Sequence, residues 1–179
     1  MNLLFVCSGN TCRSPLAVAA WQTFAPLELG GIHATSAGLA AVEGVPATSH
    51  AVEAAQTWGY DLGPHRARRV TPQALEEADL VLCMTPDHVE YCQCLTADPG
   101  RVQLLAAFKS PPRERQERSW FEPLIEEAGL AIEDDDSILD PFGGSSEAYE
   151  ACAIQIRRCV IGLAQALSET RRLRDEQGE

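Results

Sequence analysis

The chain has 179 residues, 45% hydrophobic and 22% charged, the composition of a globular protein, which excludes a fibre or a disordered tail. Its 14 basic and 26 acidic residues leave a net charge of −12. That balance argues against nucleic acid as the main partner, because a phosphate backbone is met by a basic face, but it leaves room for a small local anion site.

The length is that of one domain, expected to span 1–179 with an insertion at about 108–136. Seven cysteines stand at 7, 12, 83, 92, 94, 152 and 159. The odd count, the absence of a secretory pattern in the first residues, and the lack of any run near the roughly 18–20 apolar residues of a membrane span lead to one expectation. It is a cytoplasmic protein with free thiols and no membrane association.

Residues 2–6 (N-L-L-F-V) read as a short buried strand. A loop of small, turn-forming residues follows, C-S-G-N-T-C-R-S-P, and then a helix over 16–24 with Pro15 in its first turn and Ser14 as its expected N-cap. Residues 33–37 alternate as a second strand closed by Gly38. A helix is expected over 48–58, with Ala51, Val52, Ala55 and Trp58 on one face. T-P-Q-A at 71–74 is a helix-start pattern for 71–78, and D-L-V-L-C-M at 79–84 is a buried strand. A helix over 86–95, a fourth strand over 101–106 and a long helix over 145–173 complete the series. The stripe of that last helix is Ala148, Cys152, Ile156, Cys159, Val160, Leu163 and Leu167.

Strands alternating with helices, and strands apolar on both faces, predict an α/β three-layer sandwich: a central four-stranded parallel sheet with helices on both faces. Ligands of such sheets bind at the carboxyl ends of strands near the switch in strand order, so the loop after the first strand is the expected site. Residues 109–136 are rich in Arg, Glu and Pro and carry Trp120, Phe121 and the acidic run 133–136. They read as an excursion from the core whose aromatics pack on it, the alternatives being a non-catalytic docking surface for a partner protein and a border of the active-site mouth that selects substrates.

Between a strand and a helix, C-x-x-x-x-x-R-S has a definite chemistry. The peptides of Ser8, Gly9, Asn10, Thr11, Cys12 and Arg13 can curl with their N–H groups inward, making an anion nest reinforced by the positive end of the following helix. Arg13 adds a planar fork for two phosphoryl oxygens. Cys7 lies in that positive field, which favours the thiolate, and Ser14 can donate to its sulfur. An activated nucleophile under an oxyanion cradle is the expected result. The lysine and spacing of the nucleotide-type phosphate loop are missing, so neither Mg²⁺ nor another cofactor is implied. A leaving group needs an acid, and Asp140 in the D-P-F-G-G-S turn is the candidate.

Taken together, V-C-S-G-N-T-C-R-S-P at 6–15, S-A-G at 36–38, H-R-A-R-R-V-T at 65–71, A-D-L-V-L-C-M at 78–84 and D-P-F at 140–142 resemble the low-molecular-weight protein tyrosine phosphatase family. The resemblance covers nearly the whole chain apart from 108–136. It implies a cysteine-dependent protein phosphatase: Cys7 as nucleophile forming a phosphocysteine, Arg13 and the loop amides holding phosphoryl oxygens, and Asp140 as acid and then base. It also implies that Asn10, Ser14, Ser36 and His65 support the loop. Cys12 would guard Cys7 as a reversible disulfide partner.

Two positions address the substrate. Tyrosine-directed members usually carry a branched apolar residue where this chain has Thr11, and T-C-R-S-P with D-P-F-G-G-S looks like the bacterial protein-arginine phosphatases of the same superfamily. The Thr11 hydroxyl can accept from a guanidinium, and Asp140 can pair with one. Phosphoarginine in proteins is therefore the favoured substrate. Phosphotyrosine is the alternative, with Phe142 available to an aryl ring. Nothing in the sequence sets the oligomeric state, and a monomer is compatible with it. Two rivals stand further off. A thiol-dependent arsenate reductase would need a different cysteine spacing from that of Cys83, Cys92 and Cys94. A zinc site on Cys83, His88, Cys92 and Cys94 lacks a standard pattern, so no metal is expected.

Overall fold

Leu3, Leu4, Phe5, Val6 and Cys7 are all buried, although successive side chains of a strand point to opposite faces. A strand apolar on both sides belongs inside a covered sheet, and in the computed structural model, which describes residues 1–109 and 137–177, it lies there. The elements run β1 (Asn2–Cys7), α1 (Arg13–Phe24), β2 (His33–Gly38), α2 (Ser49–Gln56), α3 (Pro72–Glu77), β3 (Leu80–Cys83), α4 (Pro86–Gln93), β4 (Val102–Leu104) and α5 (Ser146–Gln177). The strands are parallel and ordered β2-β1-β3-β4. The order reverses at β1, so the loop leaving β1 sits at the switch point, where such sheets bind ligands.

The two faces of the sheet have separate cores. Leu3, Phe5 and Leu82 join α1, α2 and α5 in one, through Leu16, Trp21, Ala51, Cys152, Ile156 and Leu163. Leu4, Val6, Val81 and Cys83 join α3 and α4 in the other, through Leu75, Ala78 and Cys92. Each large side chain fully buried in this way contributes about 1.5–3 kcal/mol. The expected three-layer α/β sandwich is the observed one.

The helix starts follow local chemistry. Thr48, Thr71 and Thr85 each accept from the backbone N–H three residues on, at Ala51, Ala74 and His88. Pro72 and Pro86 occupy first-turn positions where a missing N–H costs nothing. The first helix departs from expectation. It starts at Arg13, Cys12 occupies the cap position without a side-chain bond, and Ser14 is inside the helix. The Ser14 hydroxyl is committed elsewhere, to Cys7 and Asn10. The fourth strand is also shorter than the 101–106 expected. It ends at Leu104, because Leu105–Phe108 turn into a 3-10 helix that buries Leu105 and Ala106. The excursion expected at 108–136, with Trp120, Phe121 and the acidic run, lies outside the described residues except for Phe108 and Lys109.

Gly38, the last residue of β2, lies under the loop that follows β1. A Cβ there would stand 2.7 Å from Asn10 N and Ser8 O and 2.9 Å from Gly9 C, all backbone atoms. No side-chain rotation relieves such a clash, so Gly38→Ala is expected to destabilise by about 3 kcal/mol, the upper end for overpacking. Urea unfolding of the two proteins measures it.

Candidate active site

The loop between β1 and α1 is shaped by Asn10, whose φ of 54° makes it the single non-glycine residue with positive φ among those described. An L residue in this region costs roughly 1–2 kcal/mol, least for Asn, and the surroundings compensate. Asn10 is fully buried. Its Nδ2 donates to Ser14 Oγ and Ser36 Oγ, both at 2.9 Å. Its Oδ1 accepts from the Arg68 N–H at 2.9 Å, and its carbonyl accepts from His65 Nε2 at 2.7 Å. Because a carbonyl only accepts, His65 carries a hydrogen on Nε2. Burial of the half-exposed ring lowers its pKa, with Arg66 and Arg68 acting in the same direction and the Asn10 bond opposing. Arg68 also donates from Nε to the Ser36 carbonyl at 2.7 Å, which ties this network to β2.

Cys7 Sγ is turned into that loop. Ser14 Oγ lies 3.0 Å from it, and the Asn10 N–H donates to it at 3.3 Å. The one hydroxyl hydrogen of Ser14 has a second acceptor in the Ala37 carbonyl at 3.3 Å, and the contact to sulfur is the shorter. The N–H groups of Gly9, Thr11 and Cys12 make no hydrogen bond with the described residues, which leaves them available to an anion. Arg13, buried at 4% exposure, reaches the same space. Its Nη1 donates to the Ile138 carbonyl at 3.4 Å, and its Nη2 donates to Ser8 Oγ at 3.2 Å and to Asp140 Oδ2. Asp140 itself is half-exposed, and its Oδ1 accepts from the Phe142 N–H at 3.2 Å.

Cys7, Ser8, Gly9, Thr11, Cys12, Arg13, Asp140 and Phe142 line one cavity of about 200 Å³. The loop at 7–13 and the turn at 140–142, far apart along the chain, thus come to the same opening, while Ser14, Asn10, Ser36 and His65 stand behind the loop. A thiol, unpaired amide donors, a buried guanidinium and a carboxylate around one small cavity can bind a tetrahedral anion and attack it. Cys12 is buried against Cys152, and that thiol contact together with burial pushes Cys12 well above the ordinary cysteine range.

Four contributors were not apparent in the sequence. His88 places Nε2 2.9 Å from Ser8 Oγ, a contact marked in the sequence solely by the T-P-D-H helix start at the end of the neighbouring strand. Arg68 acts through its backbone N–H and its Nε, Ile138 through its carbonyl, and Gly38 through its lack of a side chain. Arg68 and Gly38 stand in the segments 65–71 and 36–38 that carry the resemblance, which gives neither of them a role, and Ile138 leaves no local signal. His88 faces the loop, Cys92 is buried and Cys94 is exposed. Among the described residues no group of three or more His, Cys, Asp and Glu could hold a metal ion.

The chain is similar to known proteins over nearly its whole length. The family model described as "Low molecular weight phosphotyrosine protein phosphatase" matches residues 2–173. A protein-arginine-phosphatase of Bacillus subtilis is 34% identical over 172 residues, 96% of this chain and 100% of its own. The low molecular weight protein-tyrosine-phosphatase Wzb of Salmonella typhimurium is 30% identical, with 93% of this chain and 94% of its own covered. Among solved structures, the YwlE arginine phosphatase from Geobacillus stearothermophilus superposes with a TM-score of 0.75 at 29% identity, covering 95% of this chain and 94% of that one. With its thiol under a loop of free amides and a guanidinium, this chain belongs to the low-molecular-weight phosphotyrosine protein phosphatase family and is a cysteine-based protein phosphatase.

Proposed function

We propose that the enzyme hydrolyses phosphoarginine in proteins. The observation that carries this reading is that Thr11 and Asp140 line the same small cavity. The carboxylate is already matched to a guanidinium, that of Arg13. A substrate guanidinium meets one hydroxyl acceptor and one carboxylate there, whereas an aryl ring would meet a hydroxyl where it needs an apolar wall. Similarity to protein-arginine-phosphatases along nearly the full chain supports the same reading.

In the reaction we propose, Arg13 and the loop amides hold the equatorial phosphoryl oxygens. Arg13 cannot give the same N–H to Asp140 and to a phosphoryl oxygen, so substrate loosens that ion pair and turns the Asp140 carboxyl to the leaving group. The Cys7 thiolate attacks phosphorus, the S–P bond forms and the P–N bond breaks, and Asp140, which has taken up a proton from solvent on release from Arg13, passes that proton to the departing nitrogen. The Asp140 carboxylate next takes a proton from water. The water oxygen attacks phosphorus, the S–P bond breaks, and phosphate leaves with the thiolate regenerated. Ser14 and the Asn10 N–H, both in contact with Sγ, stabilise that thiolate. Asn10, Ser36 and His65 hold the loop's shape. Cys12 is proposed as a redox guard, condensing with an oxidised Cys7 to a reducible disulfide.

The partners of this reading are phosphorylated proteins, encountered in the cytoplasm, with basic segments favoured by the acidic surface. No helix of the described residues is long and apolar enough to cross a membrane.

Phosphotyrosine is the second reading, favoured by one observation: Phe142, 75% exposed, forms part of the cavity wall, where a substrate ring can stack. Hydrolysis of phosphoarginine, phosphotyrosine and phosphoserine peptides by the wild type and by Thr11→Ile decides between them. The wild type is expected to prefer phosphoarginine, and Thr11→Ile to move kcat/KM about tenfold toward phosphotyrosine, the worth of a single hydrogen bond. An unshifted preference removes Thr11 from the argument.

A further inference from the structure

Ser8 and His88 come from different elements, the loop after β1 and the first turn of α4, and meet beside Arg13. Ser8 Oγ has two nitrogen neighbours, Arg13 Nη2 at 3.2 Å and His88 Nε2 at 2.9 Å. Arginine only donates, so one lone pair of the Ser8 oxygen is taken by Arg13.

The His88 ring decides the rest. It is 7% exposed, and its Nδ1 is shielded from solvent with no hydrogen-bond partner among the described residues. Burial, and after it the Arg13 guanidinium, lower the ring's pKa to about 4 against the opposing pull of Asp140 and Asp87. The ring is therefore neutral at pH 7, with one hydrogen to place. On Nδ1 that hydrogen would be a buried donor with no acceptor, which is rarer in proteins than a buried acceptor left open. On Nε2 it donates to the second lone pair of Ser8. Both lone pairs of Ser8 are then occupied, its own hydrogen has no acceptor among the described residues, and the residue lines the cavity with Cys7, Arg13 and Asp140.

We propose that His88 is a positioning residue: by donating from Nε2 to Ser8 Oγ it directs the Ser8 hydroxyl hydrogen into the cavity, where it donates to a phosphoryl oxygen. The inference rests on the reading of the cavity as a phosphate site. It gives that site a side-chain donor beyond the amides and Arg13, oriented before substrate arrives. The opposite tautomer would turn the Ser8 hydrogen toward the ring and take that donor from the phosphoryl group.

Two measurements on the full chain test it. In ¹⁵N-edited NMR of the wild type at pH 7, the His88 ring is expected to carry its proton on Nε2, and a proton on Nδ1 overturns the proposal. Calorimetric titration with inorganic phosphate then compares the wild type, Ser8→Ala, His88→Met, His88→Gln and the Ser8→Ala/His88→Met pair. Ser8→Ala is expected to weaken binding about tenfold and His88→Met about fivefold, as befits a hydrogen bond to a charged group. The amide N–H of His88→Gln should restore affinity to within about twofold of the wild type. The double variant should bind no worse than Ser8→Ala, because His88 acts only through that hydroxyl. Undiminished affinity in Ser8→Ala overturns the proposal, as does a further fivefold loss on adding His88→Met to it, which a purely structural histidine would give. If His88→Met does not fold, the tautomer and Ser8→Ala decide the matter. A wild type that binds no phosphate fails differently, overturning the reading of the cavity itself.

Discussion

Cys7→Ser is expected to lower turnover by about 10⁴ or more, the scale seen when a covalent nucleophile is removed, while phosphate still binds. The two halves of that expectation come from different atoms. The thiol is the one nucleophilic side chain that both lines the cavity and accepts from Ser14 and the Asn10 N–H. A serine hydroxyl in its place ionises far less readily than a thiol. In the proposed mechanism binding depends instead on Arg13 and the unpaired amides of Gly9, Thr11 and Cys12, which the substitution does not touch. Single-turnover kinetics with a phosphopeptide and titration with inorganic phosphate read the two effects separately. Retained turnover would remove Cys7 from the mechanism, and lost binding would mean that the loop had been disturbed.

Asp140→Ala should move the same two quantities in opposite directions. Without an acid at the leaving group, turnover is expected to fall by about 10²–10⁴, most for poor leaving groups and least for an activated aryl phosphate. Phosphate affinity is expected to rise. Asp140 is the anionic partner of the buried Arg13 guanidinium, and its removal frees that donor and deletes a negative charge from the rim. A variant that lost activity merely by unfolding the turn at 140–142 would weaken both quantities. Comparing kcat on nitrophenyl phosphate and on a phosphoarginine peptide, together with the inhibition constant of phosphate, separates these outcomes.

What could be read from the sequence followed the reach of local signals. The loop of Cys7 to Arg13 is contiguous, so its residue types and spacing carry its geometry. The left-handed backbone at Asn10 sits where an Asn suits it. The two faces of β1 could be read because every one of its interior residues is apolar. Asp140 stands about 130 residues from Cys7, and no spacing rule joins them. The D-P-F-G-G-S turn offers it as a candidate, resemblance strengthens it, and the fold sets it against Arg13. Ser14 shows the opposite case. Its position suggested a helix cap, yet a hydroxyl satisfies few partners at once, and Cys7 and Asn10 claim it. His88 could not be read as a site residue, because its partner Ser8 is 80 residues away and no motif joins them, and Arg68, 58 residues from Asn10, lies in the 65–71 segment without a role being read for it. The shortened fourth strand reflects burial of Leu105 and Ala106 in a turn, a tertiary preference that an apolar run does not announce.

The segment just before Asp140 is fastened at three points. The Ile138 N–H donates to the Met84 carbonyl at 2.7 Å, the Ile138 carbonyl accepts from Arg13, and Gln155 of α5 clamps Leu139 N–H and the Ser137 carbonyl at 3.1 and 2.8 Å. These anchors belong to β3's end, α1 and α5, and they fix the carboxylate's position from its own side of the chain. The placement of the Asp140 carboxylate against Arg13 and Cys7 is therefore set by contacts within residues 1–109 and 137–177, independently of the stretch between Lys109 and Ser137.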